Sequence, residues 1–250
     1  MSAFHFIAIM SSYHQGMRVG WHYSTEDKLD KEIINHFFAK VKKACGEVHF
    51  GLHKLSTSST AWESVTEKDE FFADVAVTDD VDTFVNYVAN DQTLSANDVA
   101  KFILTVFPSS HLKLQKLLYY CYSEFLTRTG EKLFHEPIVA YKYGPVVESV
   151  FKKFKIHGSS IIDYKEDEKF IIDTKDTAAT PSFIKIANSE HGATALKCIV
   201  DVLVEYGEAD PFDLVDKTHQ EGGPWHRIYK PGQNCEITDT LITQYHDYAR

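Results

Sequence analysis

Apolar positions repeat every second residue in much of the first third of the chain, and every three to four residues through most of the rest. Phe4 to Met10 and Met17 to Tyr23 read as strands, joined by a turn over Tyr13, His14, Gln15 and Gly16. Lys28 to Ala44 reads as an amphipathic helix. Leu29, Ile33, Ile34, Phe37, Phe38 and Val41 form its apolar stripe, and Gly46 follows as a stop. Glu47 to Leu55 alternates Val48, Phe50 and Leu52 with His49, Gly51 and His53, which predicts a half-buried strand. Phe71 to Val77 predicts a further strand and Val81 to Ala89 a short helix. Residues 1–94 thus read as a small α+β domain with a mainly antiparallel sheet.

The polar stretch from Asn90 to Ser95 breaks the pattern and marks a boundary, with residues 95–250 as a second, mainly α-helical domain. Ser95 or Asn97 caps a helix that runs to Phe107 and is ended by Pro108. His111 to Thr129 is the strongest helix: Leu114, Leu117, Leu118, Cys121, Tyr122, Phe125 and Leu126 share one face, and Gly130 ends it. Val146 to Ile156 reads as a helix with Pro145 at its first position. Ile161 to Tyr164 can pair with Phe170 to Thr174 as a short hairpin. Ser189 to Tyr206, Asp210 to Thr218 and Asp239 to Tyr248 complete the helices, so the fold class expected for the whole chain is α+β.

Composition narrows the function classes. With 44% hydrophobic and 25% charged residues in 250, the chain can build packed cores and shows no bias towards disorder. It has no run of about 18 apolar residues, so no membrane span is expected. The N-terminus lacks the basic start of a signal peptide. Cys45, Cys121, Cys198 and Cys235 lie far apart without a CxxC pair and read as free thiols, which fits a reducing cytoplasm. The net charge is −10, with −6 on residues 1–94 (8 basic, 14 acidic side chains) and −4 on the remainder. Lys152, Lys153, Lys155 and His157 form the best basic cluster, which reads as the solvated end of a helix.

Three segments carry a resemblance. The first is Leu114-Gln-Lys-Leu-Leu-Tyr-Tyr-Cys121, followed by Gly130-Glu-Lys-Leu-Phe-His-Glu-Pro137. The second is Ile138-Val-Ala-Tyr-Lys-Tyr-Gly-Pro-Val-Val147, and the third Leu214-Val-Asp-Lys-Thr-His-Gln-Glu-Gly-Gly-Pro-Trp225. In this order and spacing they resemble the Panacea (SocA-like) antitoxin family over roughly residues 95–250. Tyr141 stands where that family typically has tryptophan, and Ser159 to Ile184 looks longer and more charged than a minimal version. Residues 1–94 lie outside the resemblance. What it implies is a mostly helical domain of two-gene toxin–antitoxin systems, often in prophages. Family members neutralise toxins by direct protein binding, and the SocA branch is known as a proteolytic adaptor.

The residues themselves allow more than one role. Gly144 and Pro145 suit a sharp entry into a helix, whose free N–H groups can either bind a partner's carboxylate or pack on the core. Tyr119, Tyr120, Tyr141 and Tyr143 suit an interface or a core equally. Trp225 suits the anchor of a loop. His219 would need a nucleophile or a metal partner for catalysis, and none stands at a telling spacing. In the first domain His49 and His53 share a strand face, with His14 and His22 nearby, so zinc and plain half-exposed histidines are both open there. Asp79, Asp80 and Asp82 read as a helix N-terminus. No GxSxG, Walker or GxGxxG motif is present.

The reading is therefore an antitoxin that binds a partner toxin encoded by an adjacent gene, not an enzyme, with no cofactor, no metal and no catalytic residue. The candidate contact residues are Lys116, Tyr119, Tyr143, Gly144, Pro145, His219, Gln220 and Trp225. The alternatives are an adaptor without a toxin partner and a metal-dependent enzyme in residues 1–94. An acidic chain lacks the field that drives non-specific phosphate binding. Fluorescence anisotropy should accordingly show only weak binding of the isolated chain to duplex DNA at physiological salt. Nanomolar, sequence-selective binding would contradict that expectation.

Overall fold

The computed structural model describes residues 2–12, 17–46, 48–165, 172–174 and 177–250, and the chain separates into two compact units, Met1–Thr93 and Leu94–Arg250. The fold class is α+β, with the main sheet in the first unit and mostly helices in the second.

The first unit is organised by β1 (Ala3–Ser12), whose apolar residues occupy both faces: Phe6 and Ala8 on one, Ile7 and Ile9 on the other. Such a strand must be central. The sheet order is β3 (Gly51–Thr57), β1, β2 (Met17–Thr25), β4 (Val75–Thr78). β1 pairs antiparallel with β2 and β3, and β4 runs parallel to β2. On the Phe6 face lie α1 (Lys31–Cys45) and α3 (Val81–Gln92), with Trp21 stacked on Phe37 at 4.1 Å and Phe37 in turn against Phe84. The Ile7 face is covered by Val65 of α2 (Glu63–Lys68) and by Phe72. Asp30 and Asp80 cap α1 and α3 by accepting from backbone N–H groups of their first turns.

The second unit is built around α5 (His111–Thr129), in which every residue from Lys113 to Ser123 is buried. A helix buried all round is a core element, and the others pack against it. These are α4 (Ala96–Val106), α6 (Glu148–Phe154), α8 (Gly192–Tyr206), α9 (Pro211–Thr218) and α11 (Asp239–Tyr245). α7 (Pro181–Ala187) and α10 (Pro224–Ile228) are short links. Ser95 caps α4 through a reciprocal box with Asp98, and Gly130 ends α5 at φ 77°. A small hairpin pairs β5 (Ile138–Tyr141) with β6 (Gly144–Val147), and Ile138 and Ala140 make backbone hydrogen bonds to Ile237 and Cys235.

Several expected elements differ. Leu52 is 51% exposed while His53 and Leu55 turn inward, because the register His53↔Ile7 puts the odd positions of β3 on the Ile7 face. With cores on both sides of the sheet, alternation alone does not say which set is inside. Glu70–Phe72 forms a 3-10 turn, so the strand expected from Phe71 begins only at Val75. Pro145 is not a helix start: it lies in β6, where its missing N–H falls opposite Ala140, and α6 begins at Glu148. Ile161 bridges Ser110 rather than a hairpin partner, and Ile172–Thr174 (β7) pairs with Thr177–Ala179 (β8). The turn over residues 13–16, Glu47 and Phe170 lie outside the described residues.

We propose that Leu94–Arg250 is an independent domain, since a continuous core from Leu94 to Ile242 lies within it. Expressed alone it should be soluble and unfold cooperatively in urea. An insoluble product, or a gradual loss of far-UV signal, would place the boundary elsewhere.

Candidate partner-binding site

Segments far apart in sequence meet at one side chain. Lys116 in the middle of α5 has no exposed surface, and its Nζ donates to the Pro145 carbonyl at 2.8 Å. The neighbouring Gln115 accepts from the Val147 N–H at 2.8 Å. One helix thus holds β6 at two of its backbone polar groups. On the far strand the Tyr141 carbonyl accepts from Trp225 Nε1 at 2.8 Å. Gly144 closes the arrangement: at φ 97° it is in a region other residues avoid, and a Cβ there would lie 2.6 Å from Lys116 Nζ and 2.7 Å from Thr218 Oγ1. No side chain fits.

Trp225 is itself held in a stack, with His219 at 3.6 Å on one side and Tyr229 at 4.4 Å on the other. Tyr119 is buried edge-on to Tyr120, and Tyr120 donates to the Ala249 carbonyl at 2.9 Å. Thr218 Oγ1 donates back to Val215 within α9. Of the eight candidate contact residues, Lys116, Tyr119, Gly144, Pro145 and Trp225 are therefore interior groups that bind other parts of this chain. His219 is half-buried, whereas Tyr143 (52% exposed) and Gln220 face outward. Because Gly144 meets Thr218, these two emerge from neighbouring stretches of backbone. Gln115 and Thr218 belong to the same clamp, and neither is among the candidate contact residues. The sequence signal for the clamp is two adjacent polar residues, Gln115 and Lys116, set between the apolar Leu114 and Leu117.

Among the described residues the candidate histidines of the first unit do not form one cluster. His22 Nε2 is 2.8 Å from His5 Nδ1, His53 packs against Phe71 and Phe72, and His49 precedes its strand. His14 lies outside the described residues. Among the described residues no three His, Cys, Asp or Glu side chains come together as a metal ion would need.

Burial lowers Lys116 from 10.5 to about 7, and burial followed by the Lys116 charge lowers His219 to about 4. Between pH 7 and 10.5 the unfolded chain holds a proton on Lys116 that the folded chain has released, so stability rises with pH there. Burial raises the Cys121 and Cys198 thiols, which act in the opposite sense above about pH 8.5. The clean window is thus about pH 7 to 8.5, over which Lys116 contributes at most about 2 kcal/mol. The thermal transition of the second unit should move up across this window, and Lys116→Met should flatten that movement. An unchanged slope in the variant would mean that Lys116 is not held as a neutral amine.

The described residues contain no helix long and apolar enough to cross a membrane. No solved structure matches the chain. Residues 114–226 match the family model described as antitoxin SocA-like, Panacea domain. The chain is also 31% identical over 152 residues to antitoxin SocA of Caulobacter vibrioides (strain NA1000 / CB15N), covering 58% of this chain and 77% of that protein. The family-model match lies wholly within the second unit. The chain therefore belongs to the SocA-like, Panacea-domain family of antitoxins.

Proposed function

We propose that the protein is the antitoxin of a bacterial or prophage toxin–antitoxin pair, acting in the cytoplasm by direct binding of a toxin encoded by an adjacent gene. It covers a surface of the toxin and catalyses no reaction. The observation that carries this reading is the clamp around Lys116: it fixes the hairpin and the loop after α9 on a rigid helix and leaves Tyr143 and Gln220 pointing outward. Aromatic and polar groups on irregular backbone, held by a stiff scaffold, are where binding residues concentrate.

Co-expression of the adjacent gene tests this. The antitoxin should restore growth, and Tyr143→Ala and Gln220→Ala should leave the melting curve in place. At least one of the two should weaken toxin binding by more than about 1 kcal/mol, the scale that marks an important interface residue. If both variants rescue fully while Leu52→Asp on the exposed face of β3 abolishes rescue, the first unit does the binding. A harmless adjacent gene would favour an adaptor without a toxin.

A further inference from the structure

α5 and α8 lie side by side in the second unit, and between them and the turn His246–Ala249 opens a cleft of about 250 Å³. Drug-sized ligands occupy pockets of about 300–1,000 Å³, so this one suits a single side chain. Its apolar wall is the stacked pair Tyr120 and Tyr206, 4.3 Å apart. Its polar wall is already a guanidinium-binding surface. Arg128 donates to Glu124 at 2.5 Å and to Asp201 at 3.2 Å, and Arg250 also donates to Glu124. The space remains open with both arginines in place.

Two polar groups in the lining are left over. Glu205 is an exposed residue of the lining that forms no ion pair among the described residues. His246 is 97% buried with no partner for Nδ1, although its ring lines the cleft. Burial, followed by the Arg250 charge, holds that ring down to about 4, so at neutral pH it carries no charge and repels no incoming cation. Buried polar atoms in native proteins ordinarily have partners, and one that lacks a partner beside a cleft calls for a group that enters it.

We propose that this cleft receives the arginine side chain of a basic protein partner, which pairs with Glu205 and competes with Arg250 for Glu124. Planar, bidentate recognition by carboxylates against an aromatic wall favours guanidinium over ammonium. Arg250 is about half exposed and is the displaceable occupant. The chain's charge of −10 adds attraction for a basic surface. The inference rests on the reading of this chain as a partner-binding protein and names the chemistry of that partner.

The test is calorimetric titration of the full chain with the peptide acetyl-Gly-Arg-Gly-amide and its citrulline counterpart. The arginine peptide should bind saturably and the neutral one should not. Arg250→Ala should tighten binding several-fold. Glu205→Gln, with Glu205→Ala as a second variant should the first fail to fold, should weaken it about tenfold, the scale of losing one charge-assisted hydrogen bond. Equal binding of the citrulline peptide, or no saturable binding even with Arg250→Ala, overturns the proposal. Self-association that disappears in Arg250→Ala would identify a second copy of this chain as the occupant and overturns it as well. No toxin is used, so a failed titration leaves the antitoxin reading intact, and a failed growth rescue leaves the cleft intact.

Discussion

A lysine buried without a carboxylate dictates the architecture of the second unit. Removing an ammonium group from water is costly, and among the described residues Lys116 has only the Pro145 carbonyl in return. Its amine is correspondingly pushed towards neutrality. The carbonyl is available because the β5–β6 hairpin presents that edge of β6 to α5. The approach is close enough only because Gly144 carries no Cβ. Lys116, Gly144 and Pro145 are thus a single device, and Gln115 doubles it by taking the Val147 N–H.

Around that device the remaining motif residues find their roles. Trp225 reaches the Tyr141 carbonyl from the opposite strand, and the stack of His219, Trp225 and Tyr229 keeps the loop after α9 closed over the hairpin. The consequence for function is indirect. Most of the motif builds a rigid support, and the groups able to meet a partner are the few that the support pushes outward. Rigid presentation lowers the entropic cost of ordering those groups on binding.

The first unit solves a different problem. Its central strand is apolar on both faces, so it needs two layers of cover. α1 and α3 supply one, while α2 and the 3-10 turn at Phe72 supply the other. The edge strands β3 and β4 are shorter than β1, and Lys54 sits on the exposed side of β3. Such features discourage further strand pairing. Arg18 ties β2 to the segment before β4 through Asp74 and the Phe71 carbonyl, across a loop that periodicity alone would have made a strand.

Local rules were enough for the elements whose signals are local. α5 runs from His111 to Thr129 as its leucine stripe and Gly130 require, and α1 and α4 start at Asp30 and Ser95, residues suited to capping. The family was legible too, because three short segments at suitable spacing are improbable together by chance. What periodicity could not decide was which groups pair across the chain. Pro145 resembles a helix start from its neighbours, yet an adjacent strand at Ala140 makes it part of a hairpin. Leu52 looks inward-facing until the register with β1 turns it out. Lys116 looks like a surface lysine available to a partner, since nothing local tells a charged residue that it will be enclosed. Capping, stripes and turn residues act within a few positions and are written in the sequence itself. Burial, register and the enclosure of Lys116 depend on contacts between residues about thirty to a hundred positions apart, and only the tertiary structure decides those.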